Sequence, residues 1–143
     1  VKSRAWLFAF VLPLGCDDGG TGDDGETVWA EMDAAQRHDY MVEVVNPRMR
    51  EIFVAHDSGR YANFSCESCH GTDPEASEWA MPAFLGPLPL EGTLEAAEAR
   101  NPEQTQFMLD EVFPEFVELL GDTRYAPDNP DGYRCTGCHL IAE

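Results

Sequence analysis

Met41, Val45, Met49, Ile52 and Phe53 recur three and four residues apart, the spacing of one face of an α-helix. Met108, Val112, Phe116, Leu119 and Leu120 form a second stripe of the same kind. Two amphipathic helices are therefore predicted. Asn101-Pro102-Glu103-Gln104 marks the start of the second: Asn caps, Pro fills the first turn, and Gln closes a capping box. Gly121 marks its stop. The first helix is expected to begin near Trp29. Pro47 and Pro114 fall inside the two patterns, so each helix should kink or restart there, because proline removes a donor and crowds the preceding turn. Thr93 to Arg100 reads as a short helix. Thr72 to Gly92, with four prolines, and Gly121 to Arg134 read as loops. No run alternates as a half-buried strand does. The expected fold class is mostly α, a single small domain with much loop.

The two stripes belong to longer similar segments. Tyr40–Phe53 aligns with Phe107–Leu120 without gaps at an offset of 67. Met41 then matches Met108, Val45 matches Val112, Pro47 matches Pro114 and Glu51 matches Glu118. An internal duplication is expected, with units at about 37–70 and 104–139, each a helix, a loop and a cysteine motif.

The N-terminus has a different character. Lys2 and Arg4 precede Ala5 to Leu14, an uncharged apolar run of ten residues. A membrane span needs roughly 20, so residues 1–15 read as a signal peptide. Residues 16–26 are Cys followed by Gly, acid and one Thr. They have nothing apolar to bury and read as a flexible acidic linker. Residues 27–143 are left for the folded domain. The whole chain has 27 acidic residues against 9 basic, a formal charge of −18. Past residue 15 seven arginines face the same 27 acids, a formal −20. No nucleic acid is expected as a partner, since nothing would neutralise its phosphates.

Five cysteines carry the chemistry. Four lie in Cys66-Glu67-Ser68-Cys69-His70 and Cys135-Thr136-Gly137-Cys138-His139. CxxCH is the attachment motif of c-type haem. Two thiols on one turn reach the two vinyl groups of a porphyrin, and the adjacent His lies under the iron. Disulfides within such short loops would staple little and need no His. Zinc-ribbon pairs are usually ~15–20 residues apart, whereas 65 residues separate Cys69 from Cys135. A thioredoxin-like motif would need a βαβ pattern, which is not visible.

With these ten motif residues the chain resembles small dihaem c-type cytochromes of the bacterial cell envelope. Leu14-Gly15-Cys16 after the apolar run resembles the lipobox of bacterial lipoproteins. The first resemblance implies two covalently bound haem c groups, attached through Cys66, Cys69, Cys135 and Cys138. It also implies His70 and His139 as the proximal iron ligands. The second implies an exported, periplasmic chain held to a membrane by lipid on Cys16. The two repeated units would then pack around the two haems, and the haem-free chain would fold poorly.

Ligands on the far side of each iron are less determined. Met41 and Met108 are matched by the repeat and lie on the apolar stripes. Met81, before Pro82, resembles the distal-ligand loop of monohaem cytochromes c. His38 and His56 are the other histidines, but their repeat counterparts are Thr105 and Thr123. Arg48, Arg50, Arg60, Arg124 and Arg134 are candidates to hold haem propionates. Electron transfer, with no enzymatic activity, is the leading expectation, and the acidic surface would dock a redox partner through a basic face. The alternatives are a haem with an open iron that binds small ligands or reduces peroxide, and the haem subunit of a larger envelope redox complex.

Overall fold

The computed structural model describes residues 29–142. Cys16, the apolar run before it and the acidic linker after it lie outside the described residues. The domain is mostly helical, as the apolar stripes predict. A 3-10 turn at Trp29–Glu31 comes first. Helix α1 spans Ala34–Tyr40 and starts later than expected, because Asp33 and Gln36 form the capping box. The Asp33 carboxylate accepts from the Gln36 N–H, and the Gln36 side chain accepts from the Asp33 N–H, both at 2.9 Å. The box expected at Asn101 is only half made. Asn101 Oδ1 accepts from the Gln104 N–H at 3.0 Å, but the Gln104 side chain turns to Arg60 and the Tyr61 hydroxyl, at 3.1 Å each.

Neither long helix breaks at its proline. After α1 the chain passes through a π-helical segment, Met41–Val45, into α2, Asn46–His56. In the same way α5, Pro102–Phe107, passes through a π-helical segment, Met108–Val112, into α6, Phe113–Leu119. Before Pro47 the Asn46 N–H reaches back to the Met41 carbonyl, and before Pro114 the Phe113 N–H reaches the Met108 carbonyl. The widened turn relieves the clash that a proline ring would make with an ordinary helical carbonyl. Gly121 ends α6 as predicted. Its φ is +61°, and the Asp122 N–H closes on the Val117 carbonyl at 3.0 Å while the Gly121 N–H closes on Glu118 at 2.9 Å, a Schellman ending.

The two long helices pack reciprocally. The π-helical segment of each lies against the α-helix that follows in the other. At one end the Tyr40 hydroxyl donates to the Leu119 carbonyl at 2.6 Å. At the other Phe107 packs edge-on against Phe53, with ring centroids 5.2 Å apart. Midway Arg48 Nε meets Glu115 at 2.5 Å. The buried core runs along this crossing: Val45, Met49, Ile52, Phe53, Phe64, Phe107 and Val112. Phe53 is its centre, stacked on Phe64 at 4.8 Å and edge-on to Tyr61 at 4.9 Å.

The Arg48–Glu115 pair is exposed enough to be weak. Its hydrogen bond holds the Glu115 carboxyl below its ordinary value of 4.5. The stabilisation is therefore complete above that value and disappears as pH falls through the lower folded one. Arg48→Met in the protein as isolated is expected to cost a small amount of melting temperature at pH 7 and nothing in strong acid. Paired thermal melts at the two pH values check this.

The remaining elements are short. Helix α3 is Glu67–His70, and α4 is Thr93–Arg100, with the bounds the sequence predicts. Among the described residues the only extended pairing is in isolated bridges. One of them, Leu88 against Ile141, is parallel.

Candidate functional site

Both cysteine motifs fold into the same kind of tight turn. Cys66 stands at the start of α3, and the His70 N–H closes on the Cys66 carbonyl at 2.9 Å. In the second motif Cys135–Gly137 is a 3-10 turn, and the His139 N–H closes on the Cys135 carbonyl, also at 2.9 Å. All four thiols are free and half-buried. Burial pushes the Cys69 thiol up to about 12, with Cys138 and Cys66 adding to the shift. The influence of Cys138 on Cys69 places the two motifs close together, although 65 residues separate these parts of the chain. Burial likewise raises the Cys138 thiol, offset in part by the Tyr133 hydroxyl at 3.5 Å.

The two histidines are held alike. His70 Nδ1 lies 2.9 Å from the Trp79 carbonyl oxygen, and His139 Nδ1 lies 3.0 Å from the Gly86 carbonyl oxygen. A carbonyl only accepts, so each Nδ1 carries a proton, and Nε2 is the nitrogen that bears the lone pair in the neutral ring. Such a bond fixes the tautomer and ring orientation of a metal-ligating imidazole and raises its basicity. Both acceptors sit on one segment of chain, between Trp79 and Leu88. No known family model matches this chain, and no curated protein or solved structure is significantly similar to it.

Beside the first motif is an open cleft of about 470 Å³, lined in part by His70, Gly71, Pro82 and Phe84. That volume is in the range of small-molecule and cofactor sites. Gly71, with φ of +90°, ends α3 under the Pro82 and Phe84 side chains. In the second motif Gly137 packs against the Tyr133 ring. A Cβ there would come within 2.5 Å of the ring carbon Cζ. Gly137→Ala in the protein as isolated is therefore expected to push Tyr133 off Cys138 and cost about 1–3 kcal/mol. Chemical denaturation checks it.

The distal candidates are spread out. Met41 and Met108 open the two π-helical segments and pack against the core cluster that Cys69 also touches. Met81 is half-buried on the segment that carries the two carbonyl acceptors. His38 is exposed and lies edge-on to Trp79, with centroids 5.1 Å apart, while Trp79 lies 5.6 Å from the His70 ring. His56 stacks on Phe107 at 3.7 Å and borders a polar cleft with Asp57, Arg60, Asn101 and Gln104. That cleft contains no residue of either motif.

The arginines are engaged mainly with the protein itself. Among the described residues only Arg48 pairs with carboxylates, Glu51 and Glu115. Arg60, Arg124 and Arg134 lie over the rings of Tyr61, Phe113 and Tyr125. Arg134 also donates to the Pro130 carbonyl. The sequence reading missed Trp79, Gly86 and Tyr133, and also Arg100, which donates to the Pro87 carbonyl at 2.8 Å. The backbone carbonyls of Trp79 and Gly86 carry no side-chain signature. The clustering of prolines around them was the one available signal.

Proposed function

We propose that this chain is a dihaem electron carrier of the bacterial envelope, built from two duplicated units and tethered through lipid on Cys16. The observation that carries the reading is the matched presentation of His70 and His139. In each motif a free thiol pair on one turn stands beside an imidazole with Nδ1 protonated and Nε2 available. This donor set fits haem c. Cys66, Cys69, Cys135 and Cys138 would hold the porphyrins, and His70 and His139 would ligate the irons. The haem, when bound, supplies a one-electron ferric–ferrous couple. The chain's own residues orient the imidazoles and keep a proton on each Nδ1. They also set the polarity around the site.

The duplication is supported by the reciprocal packing. The π-helical segments begin at Met41 and Met108, 67 residues apart, and Arg48 meets its own counterpart, Glu115. Met41 and Met108 are the favoured distal ligands, since both lie against the cluster that Cys69 joins. Closeness of the two motifs supports electron exchange between the haems. Residues 61–99, which flank His70 and carry both carbonyl acceptors, contain seven acidic residues and no Lys or Arg. That surface supports docking to a basic face of a redox partner, at rates that fall as salt rises.

The decisive experiment is an optical spectrum of the purified ferric and ferrous protein, before and after carbon monoxide. Two low-spin haems that ignore the gas are expected. A high-spin component that binds it would instead favour the ligand-binding or peroxidase-like reading. A chain with no haem after expression with a haem-attachment system would end the proposal.

A further inference from the structure

The segment Trp79–Leu88 joins the two motifs. Its first carbonyl holds His70 and its Gly86 carbonyl holds His139. Its last residue is tied to the chain just past the second motif: the Leu88 N–H donates to the Leu140 carbonyl at 2.8 Å, and the Ala142 N–H donates to the Leu88 carbonyl at 2.9 Å. Three features stiffen what lies between. Pro82 and Pro87 fix two φ angles. Ala83–Leu85 is a 3-10 turn, closed by the Gly86 N–H on the Ala83 carbonyl at 3.0 Å. The two ends take backbone conformations that the surrounding structure must impose. Glu78 and Trp79 both adopt left-handed backbone, with φ of +53° and +63°, a costly conformation for residues with side chains. At the other end Gly86 has φ of +80°, and Arg100 of α4 fills the space where its Cβ would be while bonding the Pro87 carbonyl.

We infer that Trp79–Leu88 is a single positioning strap for both iron ligands, so that the potentials of the two haems are linked through it. This rests on the dihaem reading above. The Nδ1–H···O=C bond makes an imidazole a stronger donor, and a stronger donor favours ferric over ferrous iron. Loosening the strap at either end therefore raises the potential of the nearer haem most. Through the stiff middle it raises that of the farther haem as well.

The test is a redox titration of the haem-loaded protein, with the haem methyl signals followed by NMR and assigned by contacts to Trp79 or Tyr133. Arg100→Ala is expected to raise the reduction equilibrium constant of the His139 haem about threefold, which is about 28 mV at 59 mV per tenfold. The His70 haem should move in the same direction by less. Loss of a cation alone would lower both potentials, so the sign separates the strap from simple electrostatics. Glu78→Pro, whose fixed negative φ cannot adopt the +53° found here, displaces the Trp79 carbonyl at the other end and should reverse the order of the two shifts, with Glu78→Gln as the control that removes only the charge. Arg48→Met removes a cation but leaves every bond of the strap intact, so it should raise neither potential. Unchanged potentials in Arg100→Ala, a fall in both, or a shift confined to the nearer haem each overturn the inference while leaving the dihaem reading intact. A protein without haem removes both.

Discussion

Phe53→Ala in the protein as isolated is expected to lose about 3–5 kcal/mol of stability, the usual cost of deleting a buried aromatic ring. Phe53 is 9% exposed and is in aromatic contact with Phe64, Tyr61 and Phe107 together. Phe64 lies two residues before Cys66, and Phe107 lies one residue before the second π-helical segment. Its loss therefore opens a cavity where the two long helices and the lead-in to the first motif meet. Neighbours on two separate segments, the turn at 61–64 and helix α5, have little freedom to close it. A fall in melting temperature on the order of 10–20 °C should follow. A loss under about 1 kcal/mol would mean that this cluster is not the centre of the core.

Replacing Cys66, Cys69, Cys135 and Cys138 together by alanine is expected to remove most of the cooperative thermal transition. The reason is the scarcity of burial. Among the described residues ten apolar ones are buried, and no large side chain is below 2% exposure. Phe84, Leu90, Leu140 and Ile141 remain more than 40% exposed, and Phe84 borders the cleft beside His70. A domain of this size with so thin a core has little margin over its chain entropy. On the dihaem reading, two large apolar groups bonded to the chain supply the missing contacts. Far-UV circular dichroism during a thermal melt reads this directly. A haem-free melt as sharp and as high as that of the loaded protein would show that the polypeptide completes its own core.

The helices were legible because their information is local. The stripe from Met41 to Phe53, the Asn101 cap and the Gly121 stop each act within a few residues. Pro47 and Pro114 were legible as perturbations but not in their outcome. Whether a proline breaks a helix or widens it depends on what packs beyond it, here the opposite long helix. The motif residues could be named from spacing alone. Their convergence could not, since it depends on Leu88 pairing with Ile141 across more than 50 residues of chain. The roles of the Trp79 and Gly86 carbonyls were hidden for a further reason: every residue has a carbonyl, and only the tertiary fold selects the two that face a histidine.

The crossing of the long helices also constrains which molecules can pair. Arg48 and Glu115 occupy corresponding positions, yet they carry opposite charges and meet at 2.5 Å. If a second molecule offered its first helix in place of this chain's own second, Arg48 would face another Arg48. Two second helices would bring Glu115 against Glu115. Like charges at such a contact repel, so the pair biases first helices toward second helices and against their own kind.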